Sequence, residues 1–158
     1  MIGNDVIDLS LAAAESNWRR NGYLQKIFTP REQEFIKNSG NPDLTVWKLW
    51  SRKESVYKIF NRITGIKAYN PMRFECLDDS DFGAVRFEND LYWTQTQRTE
   101  NCIHSIATSE ASDLMKVIHL ENRMHIHKKN GIPFLNQNPV SISNHGRFEK
   151  IVTLQTES

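Results

Sequence analysis

The clearest pattern of apolar and polar positions runs from Thr45 to Ile63: T-V-W-K-L-W-S-R-K-E-S-V-Y-K-I-F-N-R-I. Wound at about 100° per residue, it gathers Val46, Leu49, Trp50, Val56, Tyr57, Phe60 and Ile63 on one broad face. This predicts a long helix from about Thr45 to Ile63, closed by Gly65. Lys53 falls in the middle of the apolar face, and Glu54 lies opposite, beside Lys58. A lysine among core positions, followed directly by an acid, is the irregularity that needs a cause.

The rest of the chain divides into shorter runs. "MIGNDVI" reads as a short buried strand, after which Asp8 or Ser10 caps a helix through "LAAAESNWRR". "FTPREQEFI" starts a second helix, with Thr29 as cap, Pro30 at the first position and Glu32 in the first turn. "MRFECL", "GAVRFE", "LYWTQTQ" and "CIHSIAT" alternate as strands, and the separators "DDSD" and "END" suit hairpins. "SDLMKVIHLENRMHIHKK" fits helix or strand equally, "NGIPFLNQNP" reads as a loop, and "VSISNHGRFEKIVTL" is strand material. Helices first and a meander later predict an α+β fold, an antiparallel sheet packed against one long helix, in a single domain over 1–158.

Composition narrows the classes without choosing among them. A chain of 158 residues with 39% apolar and 25% charged residues can bury a sizeable core. A net charge of +1 gives no basis for general nucleic-acid binding. Cys76 and Cys102 make neither a disulfide framework nor a metal knuckle, which suggests reduced, cytoplasmic thiols. Asp5 interrupts any N-terminal secretory segment, and no apolar run reaches membrane-spanning length, so a membrane partner is not expected.

The candidate chemistry sits on the long helix. Lys48, Arg52, Lys53, Lys58 and Arg62 make it basic, with Glu54 as the acid among them. Lysines meeting phosphate oxygens and a carboxylate meeting a divalent cation would use that combination. Lys53 either snorkels its amine to water or meets an anionic partner. Glu54 and Lys58 also fit a surface pair four residues apart. A second metal oxygen is offered by Asp5, after a glycine at a strand end. Asp5 and Asp8 stand three apart on a strand and so face opposite ways, and Asp8 suits a helix cap.

The blocks "GNDVIDL", "IFTPRE" and "WSRKESVYK", followed by "NGIPFL" and "PVSISNHGRF", resemble the 4′-phosphopantetheinyl transferases, and most of all the short holo-acyl-carrier-protein synthase class. The matching blocks cover residues 2–9, 27–32, 47–60 and 128–148. The resemblance implies transfer of the phosphopantetheine arm of coenzyme A to a serine of an apo acyl or peptidyl carrier protein, with release of 3′,5′-ADP. It implies Mg²⁺ held by Asp5 and Glu54, with Lys53 and Lys58 beside the diphosphate. Lys58 would act on the leaving phosphate and Glu54, or a metal-bound water, as base.

The same resemblance sorts the subclass. Ile7 stands where the two-halved members place a second acid, as in the short class, which builds its sites between subunits of a homotrimer. Asp5 and Glu54 would then come from one subunit, with the C-terminal blocks serving coenzyme A across a boundary. The family's G-K-P lysine is Ile132 here, so Lys128 or Lys129 takes its phosphate contact. Its S-x-S-H histidine is Asn144, with His145 one step later on the other face, and Ser143 remains a phosphate donor. Arg19, Arg20, Lys26 and Arg31 suit either an acidic carrier or plain solvation. His104 reads as structural, and His119, His125 and His127 as a weak metal set. Met115, Met124, Trp18 and Trp93 read as core. A coenzyme A-binding or carrier-docking module without transferase activity is the alternative reading.

Overall fold

The computed structural model describes residues 1–156. Strand β1 (Ile2–Asp8) leads into α1 (Leu9–Glu15), α2 (Tyr23–Ile27), α3 (Pro30–Lys37) and the long α4 (Pro42–Thr64). Four strands follow, β2 (Phe74–Cys76), β3 (Phe82–Phe87), β4 (Asp90–Arg98) and β5 (Cys102–Thr108), and build one antiparallel sheet in the order β1-β5-β4-β3-β2. The remaining strands are β6 (Val117–Leu120), β7 (Ile126–Lys129), β8 (Ile132–Leu135), β9 (Asn138–His145) and β10 (Phe148–Leu154), in a second antiparallel sheet ordered β6-β10-β9-β8-β7. The α+β expectation holds, with two sheets instead of one.

The helix boundaries follow from their ends. Asp8 caps α1 by accepting from the amides of Ser10 and Leu11. Thr29 and Glu32 cap each other's backbone in a reciprocal box, with Pro30 opening α3. Asn41 caps α4, and Gly65 at φ 71° ends it. Helix α1 stops at Glu15, short of the predicted Arg20. "NGIPFL" is strand, not loop: Asn130 and Gly131, both at positive φ, make the two-residue turn joining β7 to β8. The ambiguous segment before it splits into a 3₁₀ turn at Ala111–Lys116, then β6 and β7. Met115 and Met124 are exposed, against the core expectation, while Trp18 is buried.

Strand β1 lies between α4 on one side and the second sheet on the other. Gly3, Asp5 and Ile7 face α4, and Ile7 joins the main core with Val46, Leu49, Val56 and Ile59. Gly3 is what lets the helix come in: a Cβ there would sit 2.1 Å from the carbonyl oxygen of Ser55. Ile2 packs the other way, against Ile106 and Val152.

Candidate active site

The free edge of β1 is finished by side chains, not by another strand. Ser141, Ser143 and His145 stand two apart on β9 and share a face. Ser141 Oγ accepts from the Asn4 amide at 2.9 Å, Ser143 Oγ from Val6 at 3.0 Å and His145 Nδ1 from Asp8 at 2.9 Å. These three N–H groups, which a neighbouring strand would have taken, are thereby satisfied. Ser143 also donates to Asp5 Oδ1 at 3.3 Å, which orients that carboxylate toward α4. Asn4 spends its side chain inward, donating to Lys150 O at 3.1 Å and to His104 Nε2 at 3.0 Å. Burial, with the nearby His119 and Lys150, pushes His104 down to about 3, so it accepts as a neutral ring and is structural.

Asp5, Glu54 and Lys58 form one electrostatic unit. Burial is the main cause that raises Asp5 to about 6, opposed by Lys58, Ser143 and His145. Burial and then repulsion from Asp5 raise Glu54 to about 7, against the pull of Lys58. The Lys58 amine is pushed below its ordinary value by burial, with Asp5 and Glu54 acting to restore it. Its Nζ donates to Asn4 O at 2.7 Å and reaches Ile142 O at 3.5 Å, tying β1 to β9. An ammonium has three donors, so one N–H stays free for a further acceptor.

Two clefts meet beside this unit. One, of about 450 Å³, is lined by Lys58, Asn61, Arg62, Arg123, Lys128 and Asn144 together with Gly131, Ile132, Pro133 and Ile142, with no acid in its wall. The other, of about 250 Å³, holds Asp5 with Glu15, Trp47, Trp50, Asn144 and His145. Asn144 borders both. The first suits an anion with several phosphates, and the second suits a less charged group brought up to Asp5.

Several expectations change. Lys53 is not in a cleft. It is fully buried, and its Nζ donates to Glu32 Oε1 at 2.6 Å and to Ile27 O at 2.7 Å, beneath the Phe28 ring. Glu32 also accepts from the Cys76 amide, so this pair joins α3, α4 and β2. The lysine in the apolar face therefore answers to the capping acid of the preceding helix. Arg52 is likewise fully buried and Lys48 half-buried, both bound at the loop through Asp78 and Asp79. Of the basic residues on α4, Lys58 and Arg62 alone line the basic cleft. Arg62, four residues beyond Lys58, was readable as a partner by helical spacing; Arg123 was not, because it arrives from the loop before β7.

The C-terminal residues sort by face. Lys128 lines the basic cleft and Lys129 does not. Ser143 and His145 point at β1, while Asn144 faces the clefts in the position the family gives to histidine. The blocks around Lys128 and Ser143 thus reach Asp5 and Lys58 within one chain, so one chain brings together residues that the shared-site expectation divides between subunits. Asp8 is a cap held by Arg147 and not a ligand. His119, His125 and His127 do not converge, since among the described residues no three metal-ligating side chains cluster. Arg19 is paired with Asp43 at 2.9 Å.

Comparison with known proteins follows the same outline. The model of the 4′-phosphopantetheinyl transferase superfamily matches residues 1–111, which include Asp5, Glu54 and Lys58. A holo-[acyl-carrier-protein] synthase of Fusobacterium nucleatum is 32% identical over 78 residues, 49% of this chain and 61% of that protein. The chain thus spans less than two thirds of that relative's length. The crystal structure of holo-[acyl-carrier-protein] synthase from Neisseria meningitidis aligns with TM-score 0.53 and 15% identity, over 67% of this chain and 94% of that one. An ACPS–CoA complex from Chronobacterium ammoniagenes aligns with TM-score 0.55 and 15% identity, over 68% and 93%. At that identity the structural matches show a shared fold.

Proposed function

Because the chain belongs to the 4′-phosphopantetheinyl transferase superfamily, we propose that it moves the phosphopantetheine arm of coenzyme A onto a serine of an apo acyl or peptidyl carrier protein. The observation that carries the reading is the Asp5–Glu54–Lys58 unit at the meeting of an acid-free basic cleft and a second cleft that holds Asp5.

The basic cleft takes the phosphates of coenzyme A, with Lys58, Arg62 and Lys128 as its cations, while Arg123 lines it but is held by both carboxylate oxygens of Glu149 at 2.7 and 3.1 Å. The carrier serine approaches through the cleft that holds Asp5, between Trp47 and Trp50. In the transfer, the serine oxygen forms a bond to the phosphorus nearer the pantetheine arm. The diphosphate P–O bond breaks, and 3′,5′-ADP leaves with the electron pair. Glu54 would take the serine proton as a carboxylate that a bound cation keeps ionised, and its rise to about 7 belongs to the metal-free site. The free N–H of Lys58 meets the oxygen on which charge develops. Ser143 and the β9 edge hold Asp5 in place.

The donor set fits Mg²⁺. Two partly buried carboxylates that repel each other, with no cluster of three metal-ligating side chains among the described residues, match an ion that keeps several waters and is completed by phosphate. Asp5 and Glu54 would hold it, and when bound it neutralises diphosphate charge and favours the leaving group. The homotrimer and a cytoplasmic setting belong to the same proposal. The exposed Ile63 and Ile66 at the end of α4 are apolar surface that a second copy would cover. Among the described residues, no helix is long and apolar enough to cross a membrane.

Incubation with apo carrier protein, coenzyme A and Mg²⁺, read by intact mass, tests the proposal. Phosphopantetheine addition to the carrier supports transfer. Coenzyme A binding without any addition would leave a binding module.

A further inference from the structure

Resting on the reading of Glu54 as a ligand of a divalent cation, we propose that Tyr69 is a positioning residue for that carboxylate. Its hydroxyl would donate to Glu54 when the cation is bound.

The placement comes from the aromatic packing. Trp50, Glu54 and Tyr57 stand at i, i+4 and i+7 of α4, on one stripe of the helix. The Tyr69 ring lies 5.9 Å from Trp50 and 4.4 Å from Tyr57, with Phe74 behind it at 5.6 Å. It therefore spans the turn that carries Glu54. Trp50 in turn lines the cleft that holds Asp5, so the stack forms the back of the site.

The Tyr69 hydroxyl is buried and has no hydrogen-bond partner among the described residues. Buried hydroxyls without partners are rare, because each forfeits its bond to water. Tyr57, in the same stack, has a partner, donating to Lys67 O at 2.6 Å. The Glu54 carboxylate makes no hydrogen bond or ion pair among the described residues, although the residue is partly buried. A tyrosine phenol is protonated at neutral pH and so offers a donor. An unpartnered donor thus sits over the turn bearing an unpartnered acceptor. Loading with a cation keeps Glu54 ionised, and an ionised carboxylate is the stronger acceptor. Second-sphere bonds of this kind tune metal affinity by about 10–100-fold.

The test is Tyr69→Phe beside two controls, Tyr57→Phe and Glu54→Gln, each followed by thermal unfolding during titration with Mg²⁺ or Mn²⁺. Without cation, Tyr69→Phe should unfold at or above the wild-type temperature, because the hydroxyl it loses had no partner. Its cation-induced rise in unfolding temperature should need about 10-fold more cation than the wild type. Its transferase KM for Mg²⁺ should rise in parallel, and Tyr57→Phe should change neither. An unchanged cation response in Tyr69→Phe, or an equal loss in Tyr57→Phe, would overturn the positioning role. If Glu54→Gln keeps the full cation response, the metal reading itself fails, which is a separate result.

Discussion

Replacing Lys53 by methionine separates the packing role of this residue from the phosphate role that its motif implies. Lys53 and Glu32 are both fully buried and bonded at 2.6 Å. Methionine keeps most of the volume but removes the cation, so Glu32 stays buried with only the Thr29 and Cys76 amides against its oxygens. Breaking one side of such a pair costs about 3–5 kcal/mol. For a chain of this size that is a fall in unfolding temperature of about 6–20 °C. Adding Glu32→Gln removes the stranded charge, so the double variant should recover part of the loss, a coupling on the order of 1–3 kcal/mol. Thermal unfolding of the wild type, both single variants and the double variant gives that cycle. Transferase activity per folded molecule, assayed well below the transition, should remain within about threefold of wild type. An unchanged unfolding temperature would refute the buried-pair argument. A kcat loss of 100-fold or more with stability intact would return Lys53 to the phosphate cleft.

Gly3→Ala should cost about 1–3 kcal/mol in chemical denaturation and lower transfer about 100-fold, because its Cβ would lie 2.1 Å from the Ser55 carbonyl and drive β1 off α4; near-normal turnover would refute the close-approach argument. Asp5 and Glu54 have folded values raised to about 6 and about 7, so the native state holds these protons longer than the unfolded chain does. Their contribution to stability is therefore full below about pH 4 and lost as pH rises to about 7, on the order of 3 kcal/mol for each group. Glu54→Gln should consequently gain stability over metal-free wild type as pH climbs through that window in thermal scans, and a constant difference would count against it. Lys58→Ala should lose more transfer than Lys58→Arg, since the charge beside the leaving phosphate is what acts, and equal losses would place its role in the β1–β9 tie alone. Light scattering should return a trimer; a fully active monomer would remove the assembly from the proposal.

Local signals were legible wherever a short stretch settles its own structure. The Thr29–Glu32 box, Pro30, the Asn130–Gly131 turn and Gly65 act within a few residues of themselves, and the apolar stripe of α4 needs only its own period. The sequence pattern reads "NGIPFLNQNP" as loop although it holds that turn, because its strand is short, half-buried throughout and without strict alternation. The pattern carries α1 on to Arg20 because no local breaker marks Ser16. Asp5, Glu54 and Lys58 stand out through the resemblance of their blocks to the family, since by spacing alone Glu54 and Lys58 also fit a surface helix pair and Asp5 a helix cap.

Partnership between distant residues was not legible. The amino-acid sequence by itself determined that a helix carries Glu54 and Lys58, that a strand carries Asp5, and that Ser141, Ser143 and His145 share one face. Periodicity and capping decide those matters within a single element. Only the tertiary structure decided that Lys53 belongs to Glu32, that Arg62, Arg123 and Lys128 share a cleft, and that β9 closes the edge of β1 from more than a hundred residues away. A buried charge is tolerated only where a partner and hydrogen bonds meet it. That partner is chosen by which elements pack together, a matter that no local pattern records.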